Sequence, residues 1–106
     1  MSIRANLIAG RALIANPETF GQGEYAYGAD RKPISPQHES AVCFCSLGAV
    51  ERVIHRGTMS APEKMALAKA AKALHGPLYN VIRVNDELGH EATLQMWDYA
   101  IEHAPN

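Results

Sequence analysis

Ile3, Leu7, Gly10 and Ile14 recur at helical spacing at the start of the chain, and Leu13 widens the stripe. Residues 2–15 are therefore predicted to form an amphipathic helix, with Ser2 able to cap its start. Asn16-Pro17 should end it, because proline pushes the preceding residue out of the α region. The next stretch, "PETFGQGEYAYGADRKPI" at 17–34, has no helical period. Tyr25 and Tyr27 alternate with Glu24 and Ala26, and "GADR" is turn-forming material before Lys32 and Ile34. That pattern predicts a short β-hairpin, 23–27 paired with 31–34.

A second helix should start with Ser35 as its cap and Pro36 at its first position, where a missing N–H costs nothing. It is expected to run to about Arg56, with Gly57 just beyond its end. Ser60 and Glu63 have the S-x-x-E spacing of a capping box, ahead of the alanine-rich "PEKMALAKAAKAL". Gly76-Pro77 should stop this third helix. Residues 78–84, "LYNVIRV", are short enough to be strand or helix, and an irregular or helical turn fits better beside one small hairpin. The last helix is placed at about 87–103, with Leu94, Trp97 and Ile101 on its apolar face and Met96 and Ala100 flanking. The expected fold is mainly α: a compact bundle of about four helices with a short β-hairpin between the first two. Residues 1–106 should form a single domain.

Composition narrows the function classes. Hydrophobic residues make up 47% and charged residues 20%, enough apolar material for a core without disulfides. Ten Lys and Arg against eleven Asp and Glu leave no basic surplus, so a nucleic-acid partner is not expected. No stretch approaches the ~20 apolar residues that span a bilayer. Arg11 interrupts the apolar N-terminal run, which reads as a helix rather than an export signal. A cytoplasmic protein with free thiols is the expectation.

Both cysteines lie in "AVCFCSLGAVERV", residues 41–53. On a helix, residues two apart diverge by about 200°, so Cys43 and Cys45 could not share one ion. Cys45 would align with Ala41 and Ala49, with Gly48 beside them, and Cys43 with Leu47, Val50 and Ile54. Apolar positions on both sides predict a central, buried helix. Gly48 costs such a helix about 1 kcal/mol relative to alanine, which a neighbouring chain passing very close would explain. A metal site would need this segment to be a strand, with His38 or His55 completing the set. The paired spacings of structural zinc sites are absent, and none of the histidines at 38, 55, 75, 90 and 103 are three or four apart. No metal and no cofactor is expected.

"CSLGAVERV" followed by "VNDELGHEATLQMWDYAIE" resembles a family of small bacterial and phage domains of unknown function. The family pattern is a cysteine, two residues, then Gly-Ala on one helix, and later an Asn-Asp pair leading into the final helix. "FGQGEYAYGADRKPI" is similar to its aromatic, glycine-rich connection. The resemblance spans about residues 3–102 and places Cys45, Gly48, Ala49, Asn85 and Asp86 on signature positions. Val84 departs from it, since members often carry tryptophan before Asn-Asp. The resemblance implies a fold and brings no activity with it.

The polar candidates divide between structure and function. Asn85 and Asp86 could cap the last helix. In a functional reading, Asp86 and His90 face a cleft with Glu51 or Tyr25 and do acid–base work. Lys64, Lys69 and Lys72 read as a solvated helix face, and Trp97 as core. Tyr25 and Tyr27, on a glycine-flanked hairpin, suit a contact surface, because tyrosine is enriched at interfaces. The reading that follows is a small non-enzymatic interaction module binding a protein partner or a second copy; the resemblance implies a phage- or mobile-element-associated modulator of a host protein. Its binding residues would be Tyr25, Tyr27, Asn85, Asp86 and His90, with Cys45, Gly48, Ala49 and Trp97 structural. The alternative is a small enzyme or ligand-binding domain with a polar cleft near Asn85, Asp86, His90 and Tyr25.

Overall fold

The computed structural model describes residues 2–56 and 60–106. Helix α1 covers Ile3–Leu13, and the Ser2 side chain caps it by accepting from the Ala5 N–H. Its stripe packs inward: Leu7 and Ile14 are fully buried. Gly10 belongs to that stripe for a steric reason. A Cβ there would lie 2.7 Å from the Trp97 ring, so the glycine lets the indole lie against the helix.

After a single 3-10 turn at Pro17–Thr19, a two-residue strand β1, Ala26–Tyr27, pairs antiparallel with β2, Cys43–Phe44. The expected antiparallel pair between the first two long helices is there, with a different partner. Residues 31–34 do fold back, through a Tyr27–Pro33 bridge and an Ile34 N–H donating to the Ala26 carbonyl. Pro33 has no N–H to donate, so that side cannot extend into a ladder. Val42 and Cys45 supply the donors instead, to the carbonyls of Tyr27 and Tyr25.

The second helix is shorter than expected. Ser35 caps a turn, its hydroxyl accepting from the Gln37 N–H, and helix α2 begins only at Ser46 and ends at Ile54. Cys43 is thus in a strand, and Cys45 is the cap residue of α2 rather than part of its interior. The apolar run Val42–Phe44 is β-branched and aromatic, and the free edge of β1 gives it a partner, which outweighs the helix start at Pro36. His55, in left-handed conformation at φ 57°, closes the helix, and the stop expected at Gly57 lies outside the described residues.

Helix α3, Pro62–His75, starts one residue later than a Ser60 capping box requires, so Ala61 stands at the cap without a side-chain bond. Glu63 faces another way and accepts from the Asn6 amide of α1 at 2.9 Å. Gly76, at φ 102°, ends the helix where Gly-Pro was expected to. The ambiguous stretch is a one-turn helix, α4 (Val81–Arg83), running into a π-helical turn at Val84–Leu88. Helix α5, His90–His103, starts after Gly89 rather than at 87. Its last carbonyls are held by Arg4, whose guanidinium donates to Ile101, Glu102 and Ala104. Trp97, Leu7, Leu67, Met96 and Val84 form the centre of a buried cluster to which every long helix contributes.

Candidate functional site

Three of the residues singled out in the sequence, Tyr25, Asn85 and Asp86, meet around the first turn of α2. Asn80 caps α4 by accepting from the Arg83 N–H at 2.8 Å. The chain then widens into the π-turn, a feature frequent at functional sites. This turn buries Val84 and Asn85 and leaves Asp86 exposed. The Asn85 Oδ1 accepts from the Ser46 N–H at 2.9 Å and from its hydroxyl at 2.7 Å. The Nδ2 donates to the Gly21 carbonyl and to Asp86 Oδ1, both at 2.9 Å. The Ser46 hydroxyl in turn accepts from Trp97 Nε1 at 3.1 Å. One buried amide therefore joins the loop before β1, the start of α2 and, through serine, the core tryptophan. All its bonding capacity is used.

Asp86 and Gln22 fasten the loop from outside. Asp86 Oδ1 accepts from the Gly23 N–H at 3.2 Å, and the Gln22 amide donates to the Asn85 and Asp86 carbonyls. Asp86 thus does not cap the last helix, as the simpler sequence reading had it; it holds a loop 63 residues away in sequence. The close approach expected at Gly48 is present, because a Cβ there would fall 1.8 Å from the Tyr25 carbonyl oxygen. Cys45 caps α2 through its sulfur, which accepts from the Gly48 N–H at 3.4 Å. Burial pushes the Cys45 thiol pKa up, against the lowering by the Gly48 and Leu47 N–H groups, and Asp86 and Glu51 add to the rise. A protonated thiol at neutral pH is a poor nucleophile.

Between these groups is a hollow of about 60 Å³, lined by Tyr25, Cys45, Ile82, Asn85 and Asp86 among others. Tyr25 is half-buried there, with the Lys64 ammonium 5.8 Å from its ring centre. Lys64 does not belong to a solvated face: it is 2% exposed and pairs with Glu51 at 2.7 Å. The helix period misassigned it because α2 and the Tyr25 loop cover that side of α3.

The other two expected binding residues lie elsewhere. Tyr27 donates its phenol to the Gln22 carbonyl at 2.5 Å, with its ring against Gly21. The His90 ring bonds through Nε2 to the Ile14 carbonyl at 2.6 Å and lies beside Phe20, and it does not line the hollow. Cys43 and Cys45 are both buried and free. The extended chain at 43–44 is the conformation a metal reading required. Among the described residues, however, no group of three or more His, Cys, Asp or Glu is placed to hold an ion.

Two features of this region were not read from the sequence: Ser46, and the second hollow beside it. That hollow, about 190 Å³, lies between α3 and α4 and shares Leu47, Val81 and Ile82 with the first. A third, between α3 and α5, measures about 780 Å³ and shares Met65 with the second. Met65 and Ile82 are 56% and 50% exposed, so this row of hollows is bordered by apolar side chains in contact with water. No helix among the described residues is long and apolar enough to cross a membrane.

Fold and site together define a small, mainly helical domain whose loop, π-turn and α2 start are locked by buried polar bonds. The chain belongs to the family of unknown function DUF6197, whose model matches residues 1–103, in line with the resemblance of the Cys-x-x-Gly-Ala and Asn-Asp segments. No curated protein and no solved structure matches it.

Proposed function

We propose that this single-domain chain is a non-enzymatic interaction module that docks a protein partner along one face. The observation that carries the reading is the continuity of the three hollows. They are joined through Leu47, Val81 and Ile82 at one end and Met65 at the other. Exposed large apolar side chains on a concave surface favour association, because burying them removes apolar area from water. Tyr25, Asn85 and Asp86 line one end of this face. The acid–base alternative has less support, since Asn85 is fully engaged and His90 is bound away from Asp86. The near-neutral charge and free thiols suit a cytoplasmic setting without nucleic acid. In a phage or mobile-element context the partner would be a host protein.

Photo-crosslinking tests the reading. A photoreactive side chain is placed singly at Tyr25, Met65 or Ile82, and at the exposed Arg31 as a control, in the full chain in its native cells. Adducts of one defined protein from the first three positions, and none from Arg31, are expected. Equal labelling from all four, or none from the face, would remove the proposal.

A further inference from the structure

We infer that the α3–α5 groove receives an amphipathic helix from a partner protein, apolar on one side and carrying Asp or Glu next to it. The inference rests on the docking reading above and names the chemistry of its occupant. Small residues, Ala66 on α3, Ala100 on α5 and Ala104 just after it, line the groove together with the larger side chains of Met65 and Tyr99. The volume of about 780 Å³ is within the range of ligand sites. It is an open trough, however, and a small molecule lying in it would leave much of its surface in water. A helix brings its own body as the cover, and α3, at 14 residues, offers a bed of about 21 Å.

Charge selects the partner's sign. Lys69, Lys72 and His103 line the groove, and among the described residues no Asp or Glu does. Lys72 holds its ammonium 2.9 Å from the Tyr79 carbonyl, and the His103 ring stacks on Tyr99 at 4.0 Å, so two of the three basic groups are positioned before anything binds. The end wall is also fixed in advance. Arg4 ties Ala104 and the C-terminal Asn106 to α1, and its own N–H donates to the Pro105 carbonyl. A preformed groove loses little conformational freedom on binding, which favours affinity. Apolar anchors at helical spacing would enter between Met65 and Tyr99 while carboxylates meet the lysines, the usual arrangement of a helix in a groove.

The test is selection of the full chain against a displayed library of randomised peptides about four helical turns long, followed by fluorescence anisotropy on the enriched sequences. The expected winners carry apolar residues at i, i+3, i+4 and i+7 with Asp or Glu beside them. Their affinity should fall at least about tenfold for the double variant Lys69→Glu, Lys72→Glu, and less at high salt than at low salt. Circular dichroism of that variant should be unchanged and melting only slightly lower, because both lysines are exposed and the charge reversal gives up one surface hydrogen bond, from Lys72 to the Tyr79 carbonyl. Enrichment of basic or patternless sequences, no enrichment, or equal binding by the charge-reversed variant would overturn the inference. So would binding of laurate in place of the peptides, or self-association that the double reversal abolishes, which assign the groove to a fatty carboxylate or to a second copy. Crosslinks from Tyr25 and Ile82 alongside any of these results would leave the docking function standing and remove only this occupant.

Discussion

At the scale of single residues, Gly48 and Cys45 have the most constrained surroundings. A methyl group at Gly48 would need the Tyr25 carbonyl, 1.8 Å from its position, to move, and that carbonyl is fixed by the Cys45 N–H at 3.1 Å. Alanine gains about 1 kcal/mol of helix propensity over glycine, but overpacking against backbone costs about 1–3 kcal/mol or more. Gly48→Ala is therefore expected to lower stability in urea denaturation; a rise would show that the loop at Tyr25 yields freely. Cys45 has a pH signature. Its folded-state pKa is raised by burial, so its unfolded form loses a proton first as pH increases. Stability should be full below the unfolded thiol value of about 8.5 and decline above it. Cys45→Ser, which cannot ionise, should flatten that decline in melting curves recorded from neutral to alkaline pH. An unchanged slope would mean that the thiol is not the titrating group.

At the scale of elements, the chain was legible wherever one local signal decided the outcome. The α1 period, the Gly76-Pro77 stop and the buried Trp97 face of α5 all follow from side chains within one or two turns. It was not legible where two segments compete for one partner. Whether 31–34 or 43–44 pairs with β1 depends on donors across the ladder: Pro33 weakens the nearer segment, but a reading along the chain does not see that the fold brings the Val42 and Cys45 N–H groups back to β1. The same limit applies to the site. Asn85 and Asp86 stood out, but their partners Ser46, Gly21 and Gly23 are brought to them only by the fold. Lys64 is the sharpest case, since its pairing with Glu51 joins α3 to α2 with the charges almost out of water. Breaking a buried pair from one side leaves an uncompensated charge and costs about 3–5 kcal/mol. Lys64→Ala should approach that loss in a denaturant titration. Lys64→Met with Glu51→Gln should lose much less, because neither variant group is charged. Equal losses for the two proteins would show that packing, rather than charge, holds α2 on α3.

At the scale of the whole molecule, the residues that stabilise the fold and those offered to a partner are separate sets that meet at Asn85. Ser46, Asn85 and Trp97 are buried and bonded to one another, so changes there should appear first in stability. Met65 and Ile82 are at least half exposed, and they border hollows without belonging to the buried cluster. Surface substitutions of this kind change stability by about 0.5 kcal/mol or less. For a domain of this size that is a shift of about 2–4 °C in melting temperature for one substitution and about 4–8 °C for two. On the docking reading, Met65→Glu with Ile82→Glu should therefore stay within that range while partner crosslinking from Tyr25 falls at least about tenfold, a loss of about 1.4 kcal/mol or more in binding. Asn85→Ala should show the opposite order. It leaves the Ser46 N–H and the Gly21 carbonyl without partners, at about 1–3 kcal/mol each, and should melt well below the parent before any binding is measured. If the Met65 and Ile82 variant instead unfolds and binding per folded molecule is retained, these side chains belong to the core in solution. The proposed face would then have lost its apolar anchors, and the polar hollow at Tyr25 and Asp86 would be the remaining place for a ligand.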